Sequence, residues 1–439
     1  MTDKIVQAIY ESATDDIVLV RTFPPGGSGR APSYFGGLPR LPDGLNWPYS
    51  DYIGRHVSFL AQIDLASLPA IQWRSRLPAQ GTLFFFVNTA FDRYEPKKDK
   101  WGHVLFAPQA CIDLEERQAP SDLMPIHGDS IAYTVKWLAH DHRDSPAAPR
   151  LFPCWPVEAR IVRTFSTLAP NEEIREAREV EERRVLDEAF GKPTPKHFIG
   201  KYHVAADGGP SRLGPPPPPG YPLKPIVYGA PWLPDEGWPY SWIFAAIFCA
   251  QLENNLHHYL KQPEPFEERA RSWRNRADTA GLFTAMPDGA RHEFRNWIRS
   301  IPLTSVPSGP KGESLGPSHE YGWIQQSLSS GIDACLGYAR DAKDLFPAEL
   351  LPLIEDRHRP YRGDDASYGF VRHQLLGAPR AVQTAVEEYG ATHILLAQFD
   401  HDPGCLWHWG DTGVLQFWIT RQDLAALRFD RAIMTMEGG

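Results

Sequence analysis

Alternation of apolar and polar positions with a period of two recurs at three places in this chain: Phe59 to Asp64, Phe248 to Glu253 and Leu395 to Asp400. In each, one face is apolar and the other carries a glutamine and an acid two residues apart: Gln62 with Asp64, Gln251 with Glu253, Gln398 with Asp400. Such alternation beside turn residues predicts half-buried strands. The glutamine and the acid then share a face, about 6.5 to 7 Å apart along the strand.

The first two copies follow a second shared string, Trp47-Pro48-Tyr49-Ser50 and Trp238-Pro239-Tyr240-Ser241, each behind a Leu-Pro-Asp turn. The first and third precede glycine-initiated runs rich in aromatic and β-branched residues, Gly81 to Val87 and Gly413 to Ile419, which suit strands. The two ends of the chain thus repeat one strand, connection, glycine, strand unit. This predicts a pseudo-symmetric β-rich domain made of two halves that are separated in sequence.

Between the halves the pattern turns helical. Asn171 to Phe190 carries an apolar stripe (Ile174, Ala177, Val180, Leu186, Ala189) among Glu and Arg, with Asn171 as its N-cap. Phe266 to Ile301 reads as two helices broken at Pro287-Asp288-Gly289, Asp341 to Glu355 as an interrupted helix, and Arg380 to Tyr389 as a helix closed by Gly390. Five successive prolines between Gly214 and Gly220 force an extended segment. The expected organisation is an N-terminal half over 1–195, a largely helical and loop insertion over 196–365 with a proline-rich linker and a partial repeat, and a C-terminal half over 366–439. The fold class is α+β.

These residues also carry a family resemblance. Gly36-Gly37-Leu38-Pro39, Leu41-Pro42-Asp43-Gly44, Trp47-Pro48, Phe59 to Leu65 and Gly81 to Phe86 resemble the first half of the YwqG-like family. His373 to Pro379 with Gln383, Leu395 to Asp400, Trp409-Gly410-Asp411-Thr412-Gly413, and Gln422-Asp423-Leu424 before Arg428-Phe429 resemble its second half, in order. The resemblance covers about 30–190 and 370–436. It implies a bacterial β-rich domain of unknown function; such proteins are proposed, from genomic context, to be immunity proteins against toxins, without catalytic residues. One departure stands out: His408 occupies a position before Trp409 that is commonly apolar.

Composition narrows the function classes. A chain of 439 residues with 42% hydrophobic residues can bury a large core, although its 42 prolines make it loop-rich. The formal charge of -9 argues against nucleic acid as a partner. Five scattered cysteines without a Cys-x-x-Cys pair fit a reducing cytoplasm, and neither a leader peptide nor an apolar run long enough for a bilayer is read from the pattern.

Candidate chemistry is sparse. The binding positions singled out are Gln62, Asp64, Gln398, Asp400, Trp409 and Asp411; no catalytic residue, metal ligand or cofactor is assigned. The glutamines either satisfy backbone groups of neighbouring loops or, with Asp64, Asp400 or Asp411 as acid or base, line an enzyme site between the two halves. Trp407 and Trp409 read either as packing or as a flat surface for a sugar or peptide. His140 with His142, His257 with His258 and His401 with His408 lack the spacing of a metal motif, and Asp400-His401-Asp402 is the nearest approach to one. Arg269, Arg271, Arg274 and Arg276 around Trp273 form a basic and aromatic cluster that reads as a solvated helix face behind Glu267 and Glu268. The leading expectation is a non-catalytic interaction protein with an unidentified protein partner.

Overall fold

The computed structural model of the chain describes residues 3–11, 13–25, 30–91, 94, 100–126, 149–165, 172–192, 202–204, 210–212, 237–259, 264–300, 318–339, 341–348, 351–361 and 370–438. Two compact units emerge, one from Met1–Ala132, Ala139–Thr194 and His358–Gly439, the other from Tyr133–Leu138 and Pro195–Arg357.

The first unit is organised by a ten-stranded antiparallel sheet. Its strands are β1 (Thr14–Arg21), β2 (Tyr34–Phe35), β3 (Ser58–Asp64), β4 (Thr82–Val87), β5 (Gly102–Ala107), β6 (Trp155–Thr164), β7 (Gln374–Leu375), β8 (His393–Asp400), β9 (Val414–Thr420) and β10 (Ile433–Glu437). Their spatial order is β10-β9-β8-β7-β1-β6-β2-β3-β4-β5. A central pair, β1 with β6, runs in register from Thr14 opposite Thr164 to Arg21 opposite Val157. On one side of it lies the quartet β2 to β5 and on the other the quartet β7 to β10, each in the same order. The pseudo-symmetry reaches single residues: β3 shifts register against β4 between Phe59 and Ala61, and β8 against β9 between Leu395 and Ala397.

The sheet is nearly closed, because its outer strands approach each other. A Cβ on Gly102 of β5 would lie 2.5 Å from Met434 Cβ of β10; the Met436 N–H meets the Tyr94 hydroxyl at 3.3 Å, and the rings of Phe106 and Phe429 are 5.0 Å apart. The interior is aromatic. Phe85 lies 5.3 Å from Phe399 and 5.2 Å from Phe417, and Phe35 lies 4.9 Å from Trp407, all edge-on or tilted, the arrangement that ring quadrupoles favour. Outside, Trp47, Leu41 and Val57 cover Phe59, Phe84 and Phe86. Helix α1 (Asp3–Glu11) and helix α2 (Glu172–Phe190) cover the sheet's centre, with Ile9 against Phe165 and Ala177, and Leu186 against Val18 and Val162. The fold is thus α+β, with a β-rich domain split by a helical insertion.

The second unit contains α3 (Trp242–Tyr259), α4 (Glu264–Ala280), α5 (Asp288–Ser300), α6 (Ser318–Tyr338) and α7 (Leu351–Arg357), with a two-stranded ribbon of Tyr202–Val204 and Pro210–Arg212. Here the sequence expectation fails: Phe248 to Glu253 is part of helix α3. Trp242 to Ala250 is apolar throughout, every residue of it is buried, and an unbroken apolar run carries no period that separates strand from helix. Surrounding helices decide it. Trp242 and Trp273 of α4 are 6.4 Å apart, Ser327 of α6 donates to the Phe244 carbonyl at 2.7 Å, and Gly331 of α6 leaves room for the Phe244 ring, 2.3 Å from where a Cβ would stand.

Two smaller expectations also change. The Arg380 to Tyr389 helix shrinks to Ala385–Tyr389, and Gly390 has a helical φ of -60° rather than a left-handed one. The break between α4 and α5 comes at Gly281, with φ +89°, ahead of Pro287. Asn171, the proline run and the pair His140 and His142 lie outside the described residues. Among the described residues no helix is long and apolar enough to cross a membrane.

Candidate functional site

The repeated glutamines organise two matching turns. After β2 the chain passes through Gly36 and Gly37 at φ +61° and +66°, then Pro39 and Arg40; after β7 it passes through Leu376 and Gly377 at φ +56° and +79°, then Pro379 and Arg380. The first turn needs glycine, since a Cβ on Gly36 would meet the Pro153 carbonyl at 2.1 Å. Each turn folds over one glutamine. Gln62 Oε1 accepts the Arg40 N–H at 3.0 Å and Gln398 Oε1 accepts the Arg380 N–H at 3.0 Å, while their amide nitrogens donate to the Pro32 and Arg372 carbonyls at 3.4 and 3.1 Å. Both side chains are fully buried, where an unpaired backbone group is costly.

The acids differ. Asp64 is half-buried and caps the short 3-10 turn Leu65–Ser67, accepting the Ser67 N–H at 3.1 Å. Asp400 is buried; its Oδ2 accepts the Arg372 N–H at 2.8 Å and pairs with the Arg380 guanidinium at 3.1 Å. The N–H of each acid is itself fixed, Asp64 N donating to Ser33 Oγ at 2.9 Å and Asp400 N to His373 Nδ1 at 3.1 Å. Ser33 and His373 therefore hold equivalent places.

Where the first half has Ser33 the second has His373, which begins a buried polar hub. A backbone N–H can only donate, so His373 Nδ1 accepts and the ring proton sits on Nε2, which faces Asp402 Oδ2 at 3.1 Å. Arg21 of β1 grips the same carboxylate with Nε at 2.7 Å and a terminal nitrogen at 3.0 Å. Asp402 Oδ1 also accepts the Gly404 N–H at 2.9 Å, capping the 3-10 turn Pro403–Cys405. Trp155 lies against the Arg21 guanidinium at 4.5 Å and donates to the Gly404 carbonyl. Burial, and then the Asp402 charge, push the Cys405 thiol well above its ordinary value.

His373, Asp402 and Cys405 offer ligand atoms within 4.8 Å of one another, a donor set suited in kind to a transition metal. Arg21 already covers both Asp402 oxygens, the histidine presents a proton rather than a lone pair, and the thiol is held protonated. As arranged, the set is a hydrogen-bonding hub, and its histidine has no nitrogen left to act as a general base. Asp402 was legible only as the tail of Asp400-His401-Asp402; Arg21, contributed from far away in sequence, had no signal there.

The tryptophan positions resolve as packing. Trp407 and Trp409 are buried and stack 5.9 Å apart, with Phe152 edge-on to both at 6.2 Å. A flat aromatic surface is therefore not formed there. Asp411 stands at the exposed tip of the turn that joins Trp409 to Gly413, where Gly410 and Thr412 take φ of +53° and +56° and the Gly413 N–H closes onto the Trp409 carbonyl at 2.7 Å. His401 and His408 face one another edge-on, 4.7 Å between ring centres.

The model of a protein family described as a domain of unknown function (DUF1963) matches residues 33–202 and 320–437, more than half of the chain. Both glutamine turns and the Asp402 hub, apart from Arg21, fall inside the matched segments. No curated protein matches the chain.

Proposed function

Because the chain belongs to this family of domains of unknown function (DUF1963), we propose a non-catalytic interaction module, argued from its geometry, that presents the turns at the end of its sheet to a protein partner; that this partner is a toxin is what the YwqG-like resemblance implies. What carries the reading is the use of the polar groups. Gln62 and Gln398 bond to backbone at both ends of their amides, and Asp400 and Asp402 are engaged by arginine. These groups shape loops. Of the six candidate positions, Asp411 is the one exposed to solvent, on a turn closed by the Gly413 N–H bond to the Trp409 carbonyl. With a formal charge of -9, the favoured partner surface is basic, and attraction between opposite fields raises the rate of encounter.

The test is direct titration of the purified chain against the products of neighbouring genes in its native genome, by calorimetry, with Asp411→Lys alongside. A saturable complex that Asp411→Lys weakens at least about tenfold, as loss of a desolvated charged contact does, supports the reading. Failure of every such product to bind, or indifference to Asp411→Lys, overturns it.

A further inference from the structure

The second unit carries a groove that the function proposed above does not use. It is open, with a volume of about 840 Å³, and lies along α4 beside the starts of α3 and α5, entirely outside the segments matched by the family model. Its floor is one polar stripe of α4: Glu268, Arg271, Ser272, Asn275, Arg276 and Thr279, whose spacings of three, four, seven, eight and eleven residues place them on a single helix face. Trp242, Pro287 and Ala290 give the apolar wall.

The two arginines are prepared differently. Arg276 is immobilised: its guanidinium stacks on Trp273 at 3.9 Å and on Trp242 at 5.6 Å, and pairs with Glu293 at 2.9 Å. Arg271 is exposed and bonds to no described residue, leaving its whole donor fork for a ligand. Trp273 itself is fully buried against Phe294, 5.0 Å away, so it offers no face on which a nucleic-acid base can stack, which removes the main attraction of this cluster for single strands.

We infer that this groove binds a small organic oxyanion, a carboxylate or a phosphate ester, with the anionic group on the Arg271 fork and Asn275 and the apolar body against Pro287 and Ala290. A guanidinium matches either oxyanion with two parallel hydrogen bonds. Glu268 sets the polarity: the negative end must sit toward Asn275 and Arg276, one turn further along the helix. A volume of this size suits a ligand of drug-like dimensions.

The experiment is calorimetric titration of the full chain at low salt with benzoate, phenyl phosphate, inorganic phosphate and a single-stranded oligonucleotide. Three proteins are compared: the parent, Arg271→Ala, which removes an exposed side chain, and Ala290→Trp, which fills the groove without changing charge. Saturable binding of benzoate or phenyl phosphate, weakened at least about tenfold by Arg271→Ala and abolished by Ala290→Trp, is the expected result; which of the two binds separates carboxylate from phosphate. Binding of the oligonucleotide alone, binding of inorganic phosphate as tight as phenyl phosphate, or equal affinity in all three proteins overturns the inference. A folded Ala290→Trp protein, checked by circular dichroism, keeps the second variant interpretable, and Arg271→Ala stands on its own if it is not.

Discussion

One peptide string has two fates in this molecule. Ala61-Gln62-Ile63-Asp64 and Ala397-Gln398-Phe399-Asp400 are strand ends of β3 and β8, whereas Ala250-Gln251-Leu252-Glu253 lies within α3. In the strands the glutamine is fully buried and holds a turn; in the helix Gln251 is half-buried, and Glu253 pairs with Arg274 of α4 at 2.6 Å. Four residues do not choose their own backbone. Partner strands with glycine turns on one side, and helices packed all round on the other, override whatever preference the string has.

The largest effect is expected where the two strand copies diverge. Asp402→Ala leaves the Arg21 guanidinium, held at 2.7 Å from that carboxylate, buried without its counter-charge. Removing one partner of a buried pair costs about 3 to 5 kcal/mol, which guanidinium unfolding of the first unit will show as a lowered midpoint. Ser33→Ala, at the place equivalent to His373, removes one neutral hydrogen bond to the Asp64 N–H and should cost about 1 kcal/mol. Equal losses in the two variants would mean that the hub adds nothing beyond the shared turn.

Next come the glutamines. Gln62→Leu strands the Arg40 N–H and the Pro32 carbonyl, and Gln398→Leu the Arg380 N–H and the Arg372 carbonyl. Each is expected to cost about 2 to 4 kcal/mol, since buried groups lose their partners. Gln251→Leu leaves in place the backbone bonds of α3, which are internal to the helix, and should cost less than either strand substitution. Hydrogen exchange read at Arg40, Arg380 and the amides of α3 checks this site by site. A penalty at Gln251 as large as at Gln62 would break the distinction between the strand and helix settings.

How much of this was legible follows the same physics. Alternation over Phe59 to Asp64 and Leu395 to Asp400, together with glycine-led β-branched runs, was enough to expect twin halves of one sheet, because a period of two is imposed by the pleat itself. The common bulge, the closure at Gly102 and the shared Gln to Arg N–H bond were not, since each depends on which strands lie side by side. At Trp242 to Ala250 the pattern was silent, as an apolar run fits a buried strand or a buried helix equally. Arg21 was invisible as a partner of Asp402 because the two are 381 positions apart and meet only once β1 takes the centre of the sheet. Trp407 and Trp409, whose spacing of two fitted packing as well as a flat binding surface, are buried and stacked on each other.

The smallest effect belongs to the acid of the helical copy. Glu253 and Arg274 are each partly exposed, with side chains 19% and 16% accessible, so their attraction is weakened by solvent. A double-mutant cycle of Glu253→Gln and Arg274→Gln, which keeps most of each side chain's bulk, isolates the pair from its packing. The coupling should fall at or below about 1 kcal/mol and shrink further in 1 M salt, where screening acts over about 3 Å. In the strand copy the same measurement on Asp400 and Arg380 should give a larger coupling that salt hardly changes, because the two arginines are equally accessible but Asp400 is buried where Glu253 is not. A salt-insensitive coupling of several kcal/mol at Glu253 would place the helical acid in the same class as the strand acid, and the contrast between the two regions would then rest on backbone form alone.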